Sequence, residues 1–188
     1  MRIVAGRFRG RPLNSPPDDA IRPTSDRVRE SVFDILSSRL GPDLAGARVL
    51  DLFAGTGALG LEALSRGARF AMFVDNAVAA RALIRDHIET FGLGGAAKLL
   101  KRDATALGPI ERFKPFDLVF LDPPYGKGIG EKALISARDG GWIAPGALIV
   151  FEEKKGVAVE LPDGFTLDDE RDYGDTTIRF LTFADEAN

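Results

Sequence analysis

The chain has 188 residues, 45% of them hydrophobic, and a net charge of −3. That length suits one domain with a proper core and is thin for two. With no cysteine and a single histidine, a disulfide framework and a structural zinc site are excluded, so no metal is expected. No apolar run approaches the roughly 18 residues of a membrane span, and the start pairs no basic region with a long apolar stretch, which makes the cytoplasm the expected compartment. Nothing in the chain asks for a dimer, and a monomer is expected.

Charge is spread unevenly. Residues 1–40 hold eight Arg and five acids, while the other 148 residues carry 17 basic and 23 acidic groups. Arg presents a flat fork of donors suited to phosphates and base edges. An acidic protein can therefore bind RNA through one basic face.

The elements follow in chain order. Residues 1–13 alternate partially and read as a small hairpin with turns near Gly6 and Gly10. Residues 14–24 are a Pro- and Asp-rich loop. Thr24 or Ser25 caps a helix over 26–40, with Val28, Val32, Phe33, Ile35 and Leu36 as its apolar stripe. Gly41-Pro42 ends it. Strands are predicted at 48–53, 70–75, 97–101, 116–121 and 147–152. Helices are predicted at 58–66, 77–91 and 128–138, with a short one near 107–112. That alternation is an α/β pattern with a mostly parallel, covered sheet. Strands at 165–171 and 176–183, joined around Tyr173-Gly174-Asp175, read as an antiparallel pair at the sheet edge. Residues 1–40 are an appendage without independent folding, and 41–188 form the main domain.

Two stretches carry chemistry. The strand at 48–53 runs into Gly55, Gly57 and Gly60, a G-x-G-x-x-G turn that also occurs in dinucleotide enzymes. Asp51 lies four residues before the first glycine. A carboxylate there repels a pyrophosphate but attracts a sulfonium and an ammonium group. Asp75 ends the next strand and is placed to take two ribose hydroxyls. Asp103 follows a third strand and is placed to hold an adenine amino group, directly or through its neighbours. Together they describe an adenosyl nucleoside with a positive, amino-acid-like tail, which S-adenosylmethionine fits. Each acid also has a plain reading as a turn or helix cap.

The second stretch is Asp122-Pro123-Pro124-Tyr125, after the apolar run 116–121. Methyl transfer to an exocyclic amine requires its lone pair to point at the methyl group. The Asp122 side chain and the Pro123 carbonyl can hold the two N–H bonds, since consecutive prolines restrict that backbone. Tyr125 can stack on a flat base. Positioning of this kind is worth up to roughly 7–11 kcal/mol. His87 and Trp142 are read as packing residues.

The chain resembles the bacterial enzymes that methylate the N2 amine of a guanine in 16S ribosomal RNA. The resemblance runs through Met1-Arg2-Ile3-Val4-Ala5-Gly6, Arg7-Phe8-Arg9-Gly10-Arg11-Pro12-Leu13 and Arg22-Pro23-Thr24-Ser25-Asp26-Arg27-Val28-Arg29-Glu30. It continues in Leu50-Asp51-Leu52-Phe53-Ala54-Gly55-Thr56-Gly57 and Asp122-Pro123-Pro124-Tyr125. It implies a Rossmann-like class I methyltransferase with a seven-stranded, mostly parallel sheet, an antiparallel C-terminal edge hairpin and a small basic N-terminal extension. Asp51, Phe53, Ala54, Gly55, Thr56 and Gly57 resemble the methionine-side cradle of the cofactor. Asp75 and Asn76 resemble its ribose contact, and Asp103 and Ala104 its adenine contact. Asp122, Pro123, Pro124 and Tyr125 resemble the target-amine clamp. Arg7, Arg9, Arg11, Arg22, Thr24, Arg27 and Arg29 would face RNA. The partner implied is 16S ribosomal RNA in a partly assembled small subunit. The competing readings are a methyltransferase for DNA adenine or another RNA, and a noncatalytic RNA-binding assembly factor. The chain departs from the pattern at Asp86-His87, where a Lys-Asn or similar pair is expected.

Overall fold

A computed structural model describes residues 1–16 and 24–184. Seven strands form one sheet in the order β3 (Ala97–Leu100), β2 (Phe70–Val74), β1 (Arg48–Leu52), β4 (Phe116–Leu121), β5 (Ile143–Lys154), β7 (Thr176–Phe183), β6 (Phe165–Tyr173). The chain divides into two compact units, Met1–Lys101 and Arg102–Asn188.

In the first unit β1 (Arg48–Leu52), β2 (Phe70–Val74) and β3 (Ala97–Leu100) run parallel, with β2 in the middle. Val49 to Leu52 and Ala71 to Val74 are buried without a break, as parallel strands covered on both faces require. α1 (Asp26–Leu40), α2 (Ala58–Ser65) and α3 (Val78–Thr90) complete it. The Ser25 side chain accepts the Val28 N–H at 3.2 Å and starts α1, whose buried face is Arg29, Val32, Phe33 and Leu36. At Gly41, with φ 101°, the helix ends.

The N-terminal segment folds back on itself through an Arg2–Pro12 bridge and buries Ile3 and Leu13. It is fastened to α2. The Glu62 carboxylate accepts the N–H groups of Val4 and Ala5, both at 3.0 Å. The Ser65 carbonyl takes the Arg7 N–H at 2.9 Å, and the Ser65 hydroxyl donates to the Ala5 carbonyl at 2.6 Å. Gly6 has to be glycine, because its φ is +85° and a Cβ would lie 1.9 Å from the Ser65 carbonyl oxygen.

In the second unit β4 (Phe116–Leu121) pairs in parallel with β5 (Ile143–Lys154). The edge hairpin of β6 (Phe165–Tyr173) and β7 (Thr176–Phe183) is antiparallel and joins β5 through β7. α4 (Ile129–Asp139) lies between β4 and β5 in sequence. Trp142 is a packing residue, stacked on Phe116 at 6.3 Å between ring centroids with its indole N–H donating to the Gly108 carbonyl at 2.7 Å.

Two expectations are corrected here. No helix forms at 107–112; a short 3-10 turn at Ala104–Ala106 stands just before it. Gly108 has φ +69° and Pro109 lacks an N–H, so the chain cannot wind on. β5 also begins at Ile143, four residues before the expected start, and runs through Pro145 and Gly146 to Lys154. Its pairing with β4 shifts register between Phe116 and Leu118, which accommodates those two residues.

Candidate active site

β1 delivers Asp51 to the start of the glycine loop. The loop turns sharply: Phe53 has φ 56°, Gly55 60° and Gly57 80°. The Ala54 N–H donates to the Val74 carbonyl at 3.1 Å and the Gly57 N–H to the Ala54 carbonyl at 2.8 Å. Gly57 precedes α2 and supplies no side-chain cap. Asp51 takes over part of that task, accepting the Gly60 N–H at 3.0 Å. The carboxyl of Asp51 is only 2% exposed. Burial pushes its pKa up to about 8, the nearby Asp75 charge adds to the rise, and the Gly60 N–H opposes it. An acid in that state is ready to become a carboxylate when a cation is set beside it.

Asp75, at the end of β2, holds the same loop from the other side. One of its oxygens accepts the Gly55 N–H at 3.0 Å and the other the Ala77 N–H at 2.9 Å. Asn76 is exposed, and its carbonyl accepts from the Arg81 guanidinium at 2.7 Å. Thr56 is buried and its hydroxyl accepts the Ala58 N–H at 3.3 Å. The third glycine of the motif serves packing. A Cβ on Gly60 would lie 2.4 Å from the Phe73 ring and 3.2 Å from an Asp51 oxygen. Gly60→Ala is therefore expected to cost about 1–3 kcal/mol, read as a lower urea midpoint; an unchanged midpoint would contradict this packing.

His87 was read from the sequence as packing, and it does more. It is 2% exposed. Its Nε2 accepts the Asn14 N–H at 2.9 Å, which leaves the proton on Nδ1, 3.0 Å from the Thr56 carbonyl. Burial, the largest influence, lowers the His87 pKa and favours this neutral form. One imidazole thus ties the N-terminal segment to the glycine loop.

The basic residues divide by role. Arg7, Arg9 and Arg27 are exposed. The Arg7 guanidinium lies 4.5 Å from the Phe8 ring centroid. Arg11 lies 4.4 Å from the Phe91 centroid and donates to the Thr90 carbonyl at 3.1 Å. Thr24 is half-buried, and its carbonyl accepts from Arg29 at 3.3 Å. Arg22 falls outside the described residues. The placement of Arg29 toward RNA is corrected: it is 0% exposed and bound to Asp26, Glu62 and the Thr24 and Arg2 carbonyls. A guanidinium so enclosed serves the fold.

In the second unit Asp103 is exposed and caps the 3-10 turn. One of its oxygens takes both the Thr105 N–H at 2.8 Å and the Thr105 hydroxyl at 2.7 Å, and these bonds hold its pKa below the usual carboxylate range. Ala104 beside it is buried. β4 ends at Leu121 and delivers Asp122, which is half-buried, to the loop. Pro123 is buried and Pro124 exposed.

The loop is held by two residues that sequence reasoning missed. The Tyr125 hydroxyl donates to Glu152 Oε1 at 2.7 Å and lies 3.2 Å from Thr176 Oγ1. The Gly126 N–H donates to Glu153 Oε1 at 3.0 Å. Glu153 is 1% exposed. Burial, chiefly, drives the Tyr125 pKa far above its ordinary value, so the phenol stays neutral and remains a donor. The available signal was a pair of acids closing the apolar run Leu148-Ile149-Val150-Phe151. A groove of about 560 Å³, lined by Thr105, Gly108, Pro109, Lys132, Ile135 and Ser136 among others, contains none of the expected site residues.

A sheet of this order, a glycine loop with a buried acid before it and an acid after β2, and Asp-Pro-Pro-Tyr after β4 define a Rossmann-like methyltransferase. The family model described as "Conserved hypothetical protein 95" matches residues 1–182. The "Ribosomal RNA small subunit methyltransferase D" of Escherichia coli K12 is 36% identical over 180 residues, covering 95% of this chain and 88% of the relative. The protein of the same name from Haemophilus influenzae is 33% identical over 181 residues, covering 95% and 92%. Among solved structures, the "Putative methyltransferase yhhF from Escherichia coli" superposes with a TM-score of 0.82 at 33% identity, covering 98% of each chain. The chain belongs to this family and is a methyltransferase resembling the small-subunit methyltransferases D.

Proposed function

We propose that the protein methylates the N2 amine of a guanine in 16S ribosomal RNA, within an assembling small subunit, with S-adenosylmethionine as donor. What carries the reading is family membership over residues 1–182 together with an intact, firmly held Asp122-Pro123-Pro124-Tyr125 loop. When bound, S-adenosylmethionine supplies an electrophilic methyl group on a sulfonium. The buried Asp51 fits the positive methionine end, and the Asp75 carboxylate, already oriented by Gly55 and Ala77, fits ribose hydroxyls. Phe53, Ala54, Gly55, Thr56 and Gly57 would take the methionine side and Asn76 the ribose, with Asp103 and Ala104 proposed for the adenine. Asp103 engages Thr105 through one oxygen and would hold the adenine amine with the other.

The amine of the target base gives its two N–H bonds to the Asp122 carboxylate and the Pro123 carbonyl. That draws the nitrogen lone pair out of conjugation and aims it. Tyr125 stacks on the base. The N–C bond would form as the methyl–sulfonium bond breaks and the donor leaves as a neutral thioether; the nitrogen, acidic once methylated, would give its proton to Asp122 or to water. Most of the rate comes from alignment.

Purified protein is tested with methyl-labelled cofactor against immature 30S particles, naked 16S RNA and duplex DNA. Label is expected in the particles, and label confined to DNA would refute the proposal. Cofactor binding has its own signature. Near pH 7 the Asp51 carboxyl is protonated and must ionise to pair with the cation, so binding releases a proton. Affinity is expected to rise with pH, approaching tenfold per unit well below pH 8, by calorimetry in two buffers of different ionisation heat. Asp51→Asn should abolish that slope. A pH-independent wild-type affinity would contradict the assignment.

Arg7, Arg9 and Arg27 provide the exposed cations of the RNA face, and Arg11 orders the hairpin beneath them. Arg7→Gln with Arg9→Gln should reduce the slope of log affinity against log salt by about 1.4–1.8. An unchanged slope would remove both residues from the phosphate contacts.

A further inference from the structure

The proposed chemistry leaves the chain's one histidine idle, although it is buried and both of its ring nitrogens are engaged. A backbone N–H can only donate, so His87 Nε2 must accept from Asn14, at 2.9 Å. The single proton of the neutral ring then sits on Nδ1, 3.0 Å from the Thr56 carbonyl. Hydrogen bonds in series polarise one another, so a ring that donates firmly at Nδ1 accepts better at Nε2. Thr56 lies between Gly55 and Gly57, the two glycines that turn the loop proposed for the cofactor. Asn14 follows directly on the basic hairpin. Whatever fixes one of these two backbones strengthens the bond to the other.

The same imidazole closes a column of rings. His87 stacks on Phe91 with centroids 6.2 Å apart and 21° between planes, and Phe91 stacks on Phe8 at 5.1 Å and 18°. At the outer end the exposed Arg7 guanidinium lies 4.5 Å from the Phe8 centroid. Arg11 touches both phenyl rings, 4.4 Å from the Phe91 centroid and 5.6 Å from that of Phe8. Phe8 belongs to the hairpin, while His87 and Phe91 stand in the last turn of α3 and just after it. The Asn14 side chain adds a bond to Asp86 on the same helix, at 3.0 Å. A hairpin drawn away from α3 would lose the ring contacts and both Asn14 bonds together. Docked and undocked are therefore two discrete arrangements, the kind of element that two ligands can bias in common.

We propose that His87 is a positioning residue through which docking of the hairpin and occupation of the glycine loop favour each other. RNA held by Arg7 and Arg9 tightens the cofactor, and the cofactor tightens RNA. The inference rests on the function proposed above and adds to it the link between the two substrates. Such a link is reciprocal by thermodynamic necessity, so one factor must appear in both directions.

The test uses S-adenosylhomocysteine, which carries no methyl group to transfer. Its affinity is measured by equilibrium dialysis with and without immature 30S particles, and the affinity for particles by filter binding with and without it. Wild type should show one factor of about fivefold or more in both directions. His87→Phe keeps a ring against Phe91 and removes both hydrogen bonds, and should bring the factor to within about twofold of unity. A purely structural role would weaken each ligand and leave the factor unchanged; that result would overturn the inference. A wild-type factor of unity would overturn it too and leave the proposed function standing. A further readout needs neither a variant nor RNA. Hydrogen exchange at the Asn14 N–H of the wild-type protein should slow by about fivefold or more once S-adenosylhomocysteine is bound. Unchanged exchange in the bound protein would count against the link in the same way. No binding of S-adenosylhomocysteine at all would overturn the proposed function along with it.

Discussion

Glu62→Ala should lower the stability of the protein by about 3–5 kcal/mol. Glu62 and Arg29 are both fully buried, and Arg29 Nε lies 3.4 Å from Glu62 Oε2. Arg66 Nε approaches the other oxygen at 3.0 Å, and the Val4 and Ala5 N–H groups complete the set. Removing the carboxylate would take one ion-pair partner from the buried Arg29 guanidinium, which keeps Asp26, and leave two backbone donors without their acceptor. The cost arises from those stranded groups more than from the lost attraction, so the double variant Glu62→Leu with Arg29→Met should recover only the guanidinium's share, the Val4 and Ala5 N–H groups staying without an acceptor. Urea unfolding of the three proteins measures this directly. A loss below about 1 kcal/mol in Glu62→Ala would mean that the carboxylate is no hub for the N-terminal segment.

Asp122→Ala should lower kcat by about 10²–10³ with little change in cofactor affinity. The variant removes one of the two acceptors proposed to hold the amine. The loop itself should persist, because Tyr125 remains bonded to Glu152, Gly126 remains bonded to Glu153, and the two prolines still restrict the backbone. Single-turnover kinetics with labelled cofactor, beside a calorimetric titration, separates the two quantities. Equal losses in rate and cofactor affinity would make Asp122 a cofactor or folding residue.

Much of the architecture was legible because local signals agreed with one another. The helix over 26–40 was framed by Ser25 and Gly41, and α1 runs Asp26–Leu40 between them. The apolar runs at 48–53, 70–75 and 116–121 became buried strands, and Tyr173-Gly174-Asp175 marked the turn of the edge hairpin. The errors came where a local pattern has two outcomes. Residues 107–112 have some helical character, but Gly108 and Pro109 stop a helix there. The strand was expected only from 147, and a register shift admits Pro145 and Gly146 into β5.

The site was legible in part for the same reason. Short motifs such as Gly55-Thr56-Gly57 and Asp122-Pro123-Pro124-Tyr125 announce themselves, but long-range partners do not. Arg29 looks like any other residue of a basic segment until Glu62, 33 positions later, is found against it. His87 sits in an ordinary amphipathic helix, and its bonds reach Thr56 and Asn14, far away in sequence. Glu152 and Glu153 close a strand as polar residues often do, and only the fold brings them to Tyr125 and Gly126. Gly60 was legible as a required glycine, and within the protein the requirement comes from the Phe73 ring and the Asp51 carboxyl.

The most direct measurement is nucleoside mass mapping of 16S ribosomal RNA from cells lacking this protein. One N2-methylguanosine should be missing, restored by the wild-type gene and not by the Asp122→Ala gene. A full complement of N2-methylguanosine in those cells would contradict the account.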